Sequence, residues 1–232
     1  MNSELPKVAH TVCGVSMVEL VLRIIDRLSP APLAIYAVVG HQKKVVIDIL
    51  RHRHNLTIVE QNEQKGTGHA VLQVKPYLSQ ADGACLVVCG DTPLITTATL
   101  SALIATHQKE TAAGTVLTTT LDDPSGYGRV FRNSDGSVAA IVEHKDAGPE
   151  ILNLKEVNSG FYVFDTQKLF WALDRITPHN AQGEYYLPDV FKIFCENNIK
   201  VSAVMTKNSR EVLGINTVEQ LQEAENIFKS RT

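Results

Sequence analysis

The sequence predicts an α/β fold with a doubly wound, mostly parallel sheet and a small antiparallel insertion. Two observations predict it. Between residues 16 and 120, amphipathic helical segments alternate with short runs of β-branched and other apolar residues, which is the order found in a parallel sheet covered by helices. After residue 121 the pattern changes to short strands separated by turns, which favours antiparallel pairing. A chain of 232 residues is long enough for one such domain, so a single domain over residues 1–232 is the simplest interpretation.

The first half of the chain supplies the alternating elements. Residues 16–28 place apolar side chains at helical spacing, with charged residues on the other face, as in a helix that covers a sheet. In chain order the predicted elements are a helix at 16–28, a strand at 33–39, a helix at 43–54, a strand at 56–60, a helix that follows a glycine-rich turn at 64–69 and runs through 76, a strand at 84–89, a helix that begins near 96 and a strand at 114–120.

The second half contains the insertion and the final helices. A long turn at 122–128 leads into two short predicted strands, and the turn at 133–136 separates them, which predicts a small antiparallel wall or lid. The remaining predicted elements are strands at 128–132, 137–142 and 157–164, the last interrupted at Ser159-Gly160, helices at 167–175 and 187–196, strands at 201–205 and 212–215, and a helix that Thr217 caps and that ends near 229. A doubly wound sheet ordinarily opens with a strand, and no such strand precedes the first helix.

The apolar run at residues 84–89 ends at Gly90-Asp91. We interpret the run as a strand buried on both faces. Ligands of an open parallel sheet bind beyond the carboxyl ends of its strands, so Asp91 would lie where a metal ion or a phosphate binds. Gly-Asp also ends many strands because these residues form turns, and on this segment alone the turn is the simpler explanation.

Composition excludes several classes of function. The formal net charge of −3 and a pI near 6.2 argue against a nucleic-acid partner. Four cysteines lie in apolar segments without a Cys-x-x-Cys pair, which is typical of buried thiols in a reducing compartment. The apolar runs are too short to cross a membrane, and the first residues lack the apolar core of a signal peptide. We therefore expect a cytoplasmic protein.

Eight short motifs occur in the order of a known family. Together they closely resemble the uridylyltransferase domain of the bifunctional enzyme that makes UDP-N-acetylglucosamine, a member of the nucleotide-diphosphosugar transferase superfamily. Each motif alone is weak, but the set covers nearly the whole chain. The motifs lie at residues 5–8, 64–70, 89–94, 122–129, 141–146, 157–160, 180–186 and 214–216. The resemblance implies a Rossmann-like domain with a sugar-binding insertion.

The resemblance implies transfer of the uridylyl group of UTP to N-acetylglucosamine 1-phosphate, which supplies a precursor for peptidoglycan and the cell wall. The attacking phosphate is already an anion, so catalysis is mainly alignment and neutralisation of charge. The catalytic residues implied are Lys7, which reaches the phosphates, and Asp91, which binds Mg²⁺ together with the amide oxygen of Asn216. One carboxylate, one neutral oxygen and ligand phosphates suit Mg²⁺. Without the resemblance, Lys7 would be a solvated loop charge and Asn216 a helix cap.

The resemblance also implies the substrate contacts. Gln61 matches the residue that binds the uracil edge, Gly66 and Thr67 complete the base and ribose pocket, and Gly128, Glu143 and Asn158 match the sugar contacts. Cys89 stands where the family often has a tyrosine, so it is expected to contribute its backbone beside Gly90. Alone, these residues would be interpreted as turn glycines, a surface carboxylate and a polar interruption of an edge strand.

Two departures from the family pattern lead to further expectations. The family's Gly-x-Gly-Thr-Arg-Met loop and the strand before it would precede Asn2, with Met1 as the last residue of the loop, so we expect the natural protein to begin upstream and the first strand to be missing. The family's left-handed β-helix, which carries acetyltransferase activity and forms the trimer, has no hexapeptide repeats before Thr232. We expect no acetyltransferase activity from residues 1–232 and leave the oligomeric state open.

Two rival functions stay open at this point. One is another sugar-phosphate nucleotidyltransferase that uses a different base or sugar. The other is a non-catalytic nucleotide-sugar-binding domain, which the absent phosphate-binding loop favours.

Overall fold

The structure is a computed structural model that describes residues 5–78 and 81–231. Met1, the expected last residue of the phosphate-binding loop, lies outside the described residues. The elements in chain order are β1 (Thr11–Val12), β2 (Val15–Ser16), α1 (Met17–Ile25), β3 (Ile35–Val39), α2 (Lys43–Leu50), β4 (Leu56–Glu60), α3 (Thr67–Leu72), α4 (Lys75–Leu78), β5 (Ala84–Val87), α5 (Thr97–Glu110), β6 (Gly114–Thr120), β7 (Arg129–Arg132), β8 (Val138–Val142), α6 (Pro149–Leu152), β9 (Glu156–Asp165), α7 (Thr166–Leu173), α8 (Asp189–Glu196), β10 (Val201–Met205) and α9 (Val218–Arg231).

The chain divides into two compact units. The first unit comprises Met1–Asn62, Cys89–Ser101 and Arg210–Thr232, and the second comprises Glu63–Val88 and Ala102–Ser209. No helix within the described ranges combines the length and the apolar character needed to cross a membrane.

The first unit has a parallel pair of strands, β3 and β4. Its apolar cluster is built from the β1–β2 hairpin, one face of α1, the segment after Asp91 and one face of α9. The buried members are Val12, Met17, Leu20, Leu94, Ile215 and Ala224. The predicted strand at 212–215 is wrong: Val212 and Ile215 are buried, which accounts for the apolar pattern, yet the segment forms no strand.

The second unit is organised around a mixed sheet with the strand order β10-β6-β9-β7-β8, in which β5 also pairs with β9. The β10–β6 pair is parallel, and every pair that includes β9 is antiparallel. Strand β6 lies between two partners and carries β-branched residues that are buried from Gly114 to Thr119, as expected for a central strand. The α/β class is confirmed.

Strand β5 differs from the expectation for residues 84–89. It ends at Val87, four positions before Asp91, and its residues are half-buried or exposed rather than buried on both faces. Its partner β9 runs antiparallel to it. Asp91 therefore lies in a loop beyond the strand and not at the last position of the strand.

Strand β9 contains the interruption predicted at Ser159-Gly160, in the form of a β-bulge. The strand is continuous, but its register against β6 changes from Val116 opposite Tyr162 to Thr118 opposite Asn158. Gly160 has φ of +82°, a value that glycine adopts at little cost. A bulge alters the direction of nearby side chains and is common beside active sites, and here it directly follows Asn158.

The core of the second unit should dominate the stability of that unit. Phe164 is fully buried, and its ring lies 5.5 Å from that of Tyr162 and 5.6 Å from that of Phe191. We predict that Phe164→Ala lowers the free energy of unfolding by about 3–5 kcal/mol, measured by urea denaturation. Phe131→Ala is the control, because Phe131 on β7 is 44% exposed and its removal should cost less than about 1 kcal/mol. Equal losses for the two variants would contradict this assignment of the core.

Candidate functional site

The first unit brings together three predicted site residues that are distant in sequence. The ammonium of Lys7 donates to the carboxylate of Asp91 and, at 2.5 Å, to Oδ1 of Asn216. The side chains of Lys7 and Asp91 are 36% and 23% exposed, so the group is open to ligands. One positive charge thus lies between a carboxylate oxygen and an amide oxygen.

Backbone contacts position Asp91 and Asn216 for this arrangement. The amide of Ile215 donates to the carbonyl of Asp91 at 3.1 Å, which brings the 214–216 segment beside the Asp91 loop. A Cβ built on Gly214 would lie 3.6 Å from Oδ2 of Asp91. A single backbone hydrogen bond therefore holds together the two segments whose side-chain oxygens accept from Lys7.

A buried carboxylate anchors the start of the segment that carries Asn216. Glu211 is 8% exposed and accepts from the hydroxyls of Thr96 and Thr99 at 3.1 and 2.5 Å. Thr96 immediately precedes α5 and Thr99 lies in its first turn, so Glu211 attaches the 211–216 segment to the amino end of that helix.

Other residues form the cap at the start of α9, which excludes the alternative that Asn216 is the helix cap. Thr217 and Gln220 form the cap: the amide of Gln220 donates to Oγ1 of Thr217 at 3.2 Å, and the amide of Thr217 donates to Oε1 of Gln220 at 3.0 Å. This reciprocal pair is a capping box. Asn216 instead donates its side-chain amide to the carbonyl of Gly214 and directs its oxygen to Lys7. Its oxygen serves the charged group and not the helix.

The two residues that precede Asp91 have structural reasons for their type. A Cβ on Gly90 would lie 3.3 Å from a methyl group of Val8, so a larger residue would displace the segment that carries Lys7. Burial raises the pKa of the Cys89 thiol to about 12, and the charge of Asp91 adds to the effect. Cys89 is therefore a protonated thiol and not a nucleophile.

Gln61 lies at the carboxyl end of the parallel pair of strands. It follows β4 and is 8% exposed. Its backbone amide donates, over 2.8 Å, to the carbonyl of Val39, the last residue of β3. The carboxyl ends of parallel strands are the usual place for ligands in α/β folds, so the position of Gln61 is consistent with contact to a base.

Gly66 and Thr67 bind a segment of the second unit instead of lining open space. Gly66 has φ of +100°, and a Cβ there would lie 2.6 Å from the carbonyl oxygen of Tyr185. Oγ1 of Thr67 accepts from the amide of Leu187 at 3.1 Å. A side chain at Gly66 would therefore collide with the backbone of Tyr185, and the role of both residues toward a nucleotide stays a prediction.

The second unit places the three predicted sugar contacts in one row of its sheet. Arg129 on β7 pairs with Val142 on β8 and with Val157 on β9. Because both pairs are antiparallel, the next row consists of Gly128, Glu143 and Asn158. The amide of Asn158 donates to the carbonyl of Gly128 at 2.9 Å. We call Gly128, Glu143 and Asn158 the sugar row.

Gly128 is required by its neighbour in the row. A Cβ at Gly128 would lie 3.1 Å from Oε1 of Glu143, so a side chain there would displace the carboxylate. Burial raises the pKa of Glu143, and the charges of Asp189 and Asp146 raise it further. The row therefore combines a small residue, an amide and a carboxylate of raised proton affinity.

Tyr186 is a candidate that the sequence analysis did not select. Burial raises the pKa of its hydroxyl to about 12, with additional contributions from the charges of Asp146 and Glu143. It is 7% exposed, so a polar hydroxyl is buried where the charges of Asp146 and Glu143 both act on it. Its place in the 180–186 motif was the signal that could have identified it.

The residues that are present fit a divalent cation at Asp91 and Asn216. In the structure the ammonium of Lys7 already occupies the space between the two oxygens as a cation. No group of three or more His, Cys, Asp or Glu side chains in residues 5–78 or 81–231 is arranged to hold a metal ion. A site with two protein oxygens suits a hard cation that keeps water and phosphate ligands.

The comparisons with known proteins give the class and then the family. The fold is that of two solved structures of UDP-glucose pyrophosphorylase, which match it with TM-scores of 0.69 and 0.75 at 18% and 16% identity, each over 98% of this chain and 90% and 91% of the other. The nucleotidyl transferase family model matches residues 14–224. The chain belongs to the nucleotidyl transferase family.

Relatives at higher identity come from streptococci. The "Bifunctional protein GlmU" of Streptococcus pyogenes serotype M6 is 46% identical over 231 residues, and that of Streptococcus thermophilus is 45% identical over the same length. These matches cover 100% of this chain and 49% of each relative. The chain therefore spans about half the length of the curated relatives that it matches.

The position of Lys7 leads to a prediction in two directions. Lys7→Met removes the ammonium that competes for the oxygens of Asp91 and Asn216, so Mn²⁺ should bind the nucleotide-free protein about two to five times more tightly, as expected for a partly exposed ion pair. Asp91→Asn should greatly weaken Mn²⁺ binding. Isothermal titration calorimetry measures both, and Asp48→Asn, an exposed carboxylate on α2, is the control that should match wild type. Weaker Mn²⁺ binding by Lys7→Met would contradict competition.

A second prediction concerns pH and Asp189. Burial raises the pKa of Asp189 to about 6, Asp146 adds to the effect and Lys192 opposes it. Between about pH 4, the ordinary aspartate value, and about pH 6, the folded protein holds this proton and the unfolded chain does not. The free energy of unfolding therefore falls as pH rises through this window. The melting temperature of Asp189→Asn relative to wild type should increase from pH 4 to pH 7, and a decrease would refute the assignment.

Proposed function

We propose that the protein transfers the uridylyl group of UTP to N-acetylglucosamine 1-phosphate, which yields UDP-N-acetylglucosamine and pyrophosphate. The observation that carries the proposal is the cation that Lys7 places between Asp91 and Asn216. Transfer of a nucleotidyl group requires positive charge beside crowded phosphates. The eight motifs in order and the 46% identity to a GlmU protein support the uridylyl donor and the amino-sugar acceptor.

The reaction needs alignment more than proton transfer. An oxygen of the sugar phosphate attacks the α-phosphorus of UTP, and the bond from that phosphorus to the bridging oxygen of pyrophosphate breaks. Pyrophosphate leaves with the electron pair of that bond. Because the attacking oxygen is already anionic, no side chain has to accept a proton. Held geometry and preorganised charge therefore supply most of the rate.

The first unit supplies the charge in this proposal. Asp91 and Asn216 would hold Mg²⁺, which when bound neutralises phosphate charge. Lys7 reaches the same two oxygens in the structure, so its ammonium is within reach of phosphates bound there. Both roles use charges that are partly open to solvent and can therefore contact a ligand.

The remaining residues bind the substrates. Gln61 would bind the uracil edge, Gly66 and Thr67 would support the base and ribose, and the backbone at Cys89 and Gly90 would contact the nucleotide. The sugar row of the second unit, with its carboxylate and amide, would bind sugar hydroxyls and the acetamido group. Polar pockets of this kind reject analogues that leave buried groups unpaired.

The cellular setting belongs to the same proposal. A nucleotide donor and a phosphorylated sugar place the reaction in the cytoplasm, where it would supply cell-wall synthesis. The net charge of −3 argues against a nucleic-acid partner.

A pyrophosphate-release assay on the complete protein tests the proposal. UTP with N-acetylglucosamine 1-phosphate should give the highest kcat/KM, and dTTP, CTP and glucose 1-phosphate should react more slowly by at least about a hundredfold. Faster turnover with another base or sugar would establish the rival nucleotidyltransferase. Tight UDP-N-acetylglucosamine binding without turnover of any pair would establish the non-catalytic binder.

A variant of the sugar row makes this prediction specific. Glu143→Gln should raise the KM for N-acetylglucosamine 1-phosphate about tenfold or more, since a half-buried hydrogen-bonding group is altered, and should leave the KM for UTP unchanged. Glu150→Gln is the matched control, because Glu150 is an exposed carboxylate on α6. A rise in the KM for UTP instead would move Glu143 to the nucleotide side of the reaction.

A further inference from the structure

Arg129 is a fully buried cation whose role the proposed function does not include. It is 2% exposed. Its Nη1 donates to the carbonyl oxygens of Pro124, at 2.7 Å, and of Tyr127, and its Nη2 donates to the carbonyl of Leu152 at 3.5 Å. Within the described residues, no carboxylate forms a salt bridge with it. The guanidinium is therefore held by backbone dipoles.

Burying this charge is costly, which argues for a specific use. A buried charge is ordinarily paired, because its desolvation opposes folding unless partners replace water. Burial lowers the pKa of Arg129, and Asp123 only partly opposes this effect. The carboxylate of Asp123 is exposed and accepts from the amide of Ser125. The guanidinium of Arg129 thus donates hydrogen bonds to backbone carbonyl oxygens and does not form an ion pair.

The carbonyls that Arg129 binds belong to two different segments. Pro124 and Tyr127 lie in the turn that leads directly into Gly128. Leu152 is the last residue of α6, which follows the 143–146 segment. Its carbonyl is one of those that a helix leaves without an intrahelical donor at its carboxyl end. The guanidinium therefore links the turn before Gly128 to the helix that follows Glu143.

The sheet register places Arg129 directly beside the sugar row. Arg129 pairs with Val142 and Val157, and each of these three residues is the chain neighbour of one member of the row. A displacement of Arg129 would move Gly128 on its own strand and would disturb Glu143 and Asn158 through their cross-strand partners.

We propose that Arg129 is a positioning residue for the sugar row, fixing Gly128, Glu143 and Asn158 through its bonds to the carbonyls of Pro124, Tyr127 and Leu152. The inference rests on the proposed function, since it assigns the row to the amino sugar. Lysine cannot replace arginine here, because a single ammonium lacks the planar fork that reaches separate acceptors. The role concerns the sugar half of UDP-N-acetylglucosamine and leaves UTP binding unaffected.

Calorimetry on the complete protein tests the proposal with a pair of matched variants. Arg129→Lys should raise the Kd for UDP-N-acetylglucosamine about tenfold, as expected when contact groups are misplaced by a fraction of an ångström, and should leave the Kd for UTP within about twofold. Arg132→Lys is the control on the same strand, since Arg132 is ion-paired with Glu156 at 2.6 Å. It should leave both affinities at wild-type values.

The outcomes separate this inference from the proposed function. A folded Arg129→Lys variant with unchanged affinities, or with equal losses for both ligands, would overturn the positioning role. Wild-type protein that binds UTP but not UDP-N-acetylglucosamine would overturn the proposed function, and this inference with it. If Arg129→Lys does not fold, hydrogen exchange of wild-type protein decides: UDP-N-acetylglucosamine should protect residues 124–129 and 149–154 more than UMP does, and equal protection would overturn the role.

Discussion

The ammonium of Lys7 between the oxygens of Asp91 and Asn216 is the interaction on which the rest of this account depends. It joins residues separated by 84 and 209 positions, so it exists only when three distant segments have reached their final places. The amide of Ile215 on the carbonyl of Asp91 and the anchored carboxylate of Glu211 supply those places. An exposed ion pair by itself contributes little stability. The pair is informative because it shows a place in the fold where two oxygens attract a positive charge.

In the second unit, buried polar groups lower the stability of the fold. Glu143, Asp189 and Tyr186 all have pKa values raised by burial, and Arg129 is a buried cation without a carboxylate partner in the described residues. Such groups oppose folding, and they persist where the surrounding structure holds them and a function uses them. The β-bulge after Asn158 and the glycine opposite Glu143 also lower the local stability of the sheet at this row. Their concentration at one end of β7, β8 and β9 is the physical argument for a polar ligand there.

Much of the architecture could be predicted from the sequence, because hydrophobic periodicity reports burial directly. The strands at 56–60, 114–120 and 201–205 occur as predicted. The strand predicted at 212–215 does not form, because Val212 and Ile215 are buried in a segment without regular strand pairing. The predicted single helix through Pro76 forms as two helices, α3 and α4. The sugar row could not be derived from periodicity, since it depends on the register of strands that are distant in sequence. The resemblance supplied its members, and the register places those members side by side.

We propose that Asp91 and Asn216 form a cation site for nucleotidyl transfer. A crystal of the complete protein with UDP-N-acetylglucosamine and Mn²⁺, measured near the manganese absorption edge, tests it most directly. We expect an anomalous peak within about 2.5 Å of a carboxylate oxygen of Asp91 and of Oδ1 of Asn216, with Lys7 displaced from the position between them. Manganese bound elsewhere, with the Lys7 bridge to Asp91 and Asn216 intact beside the bound ligand, would contradict it.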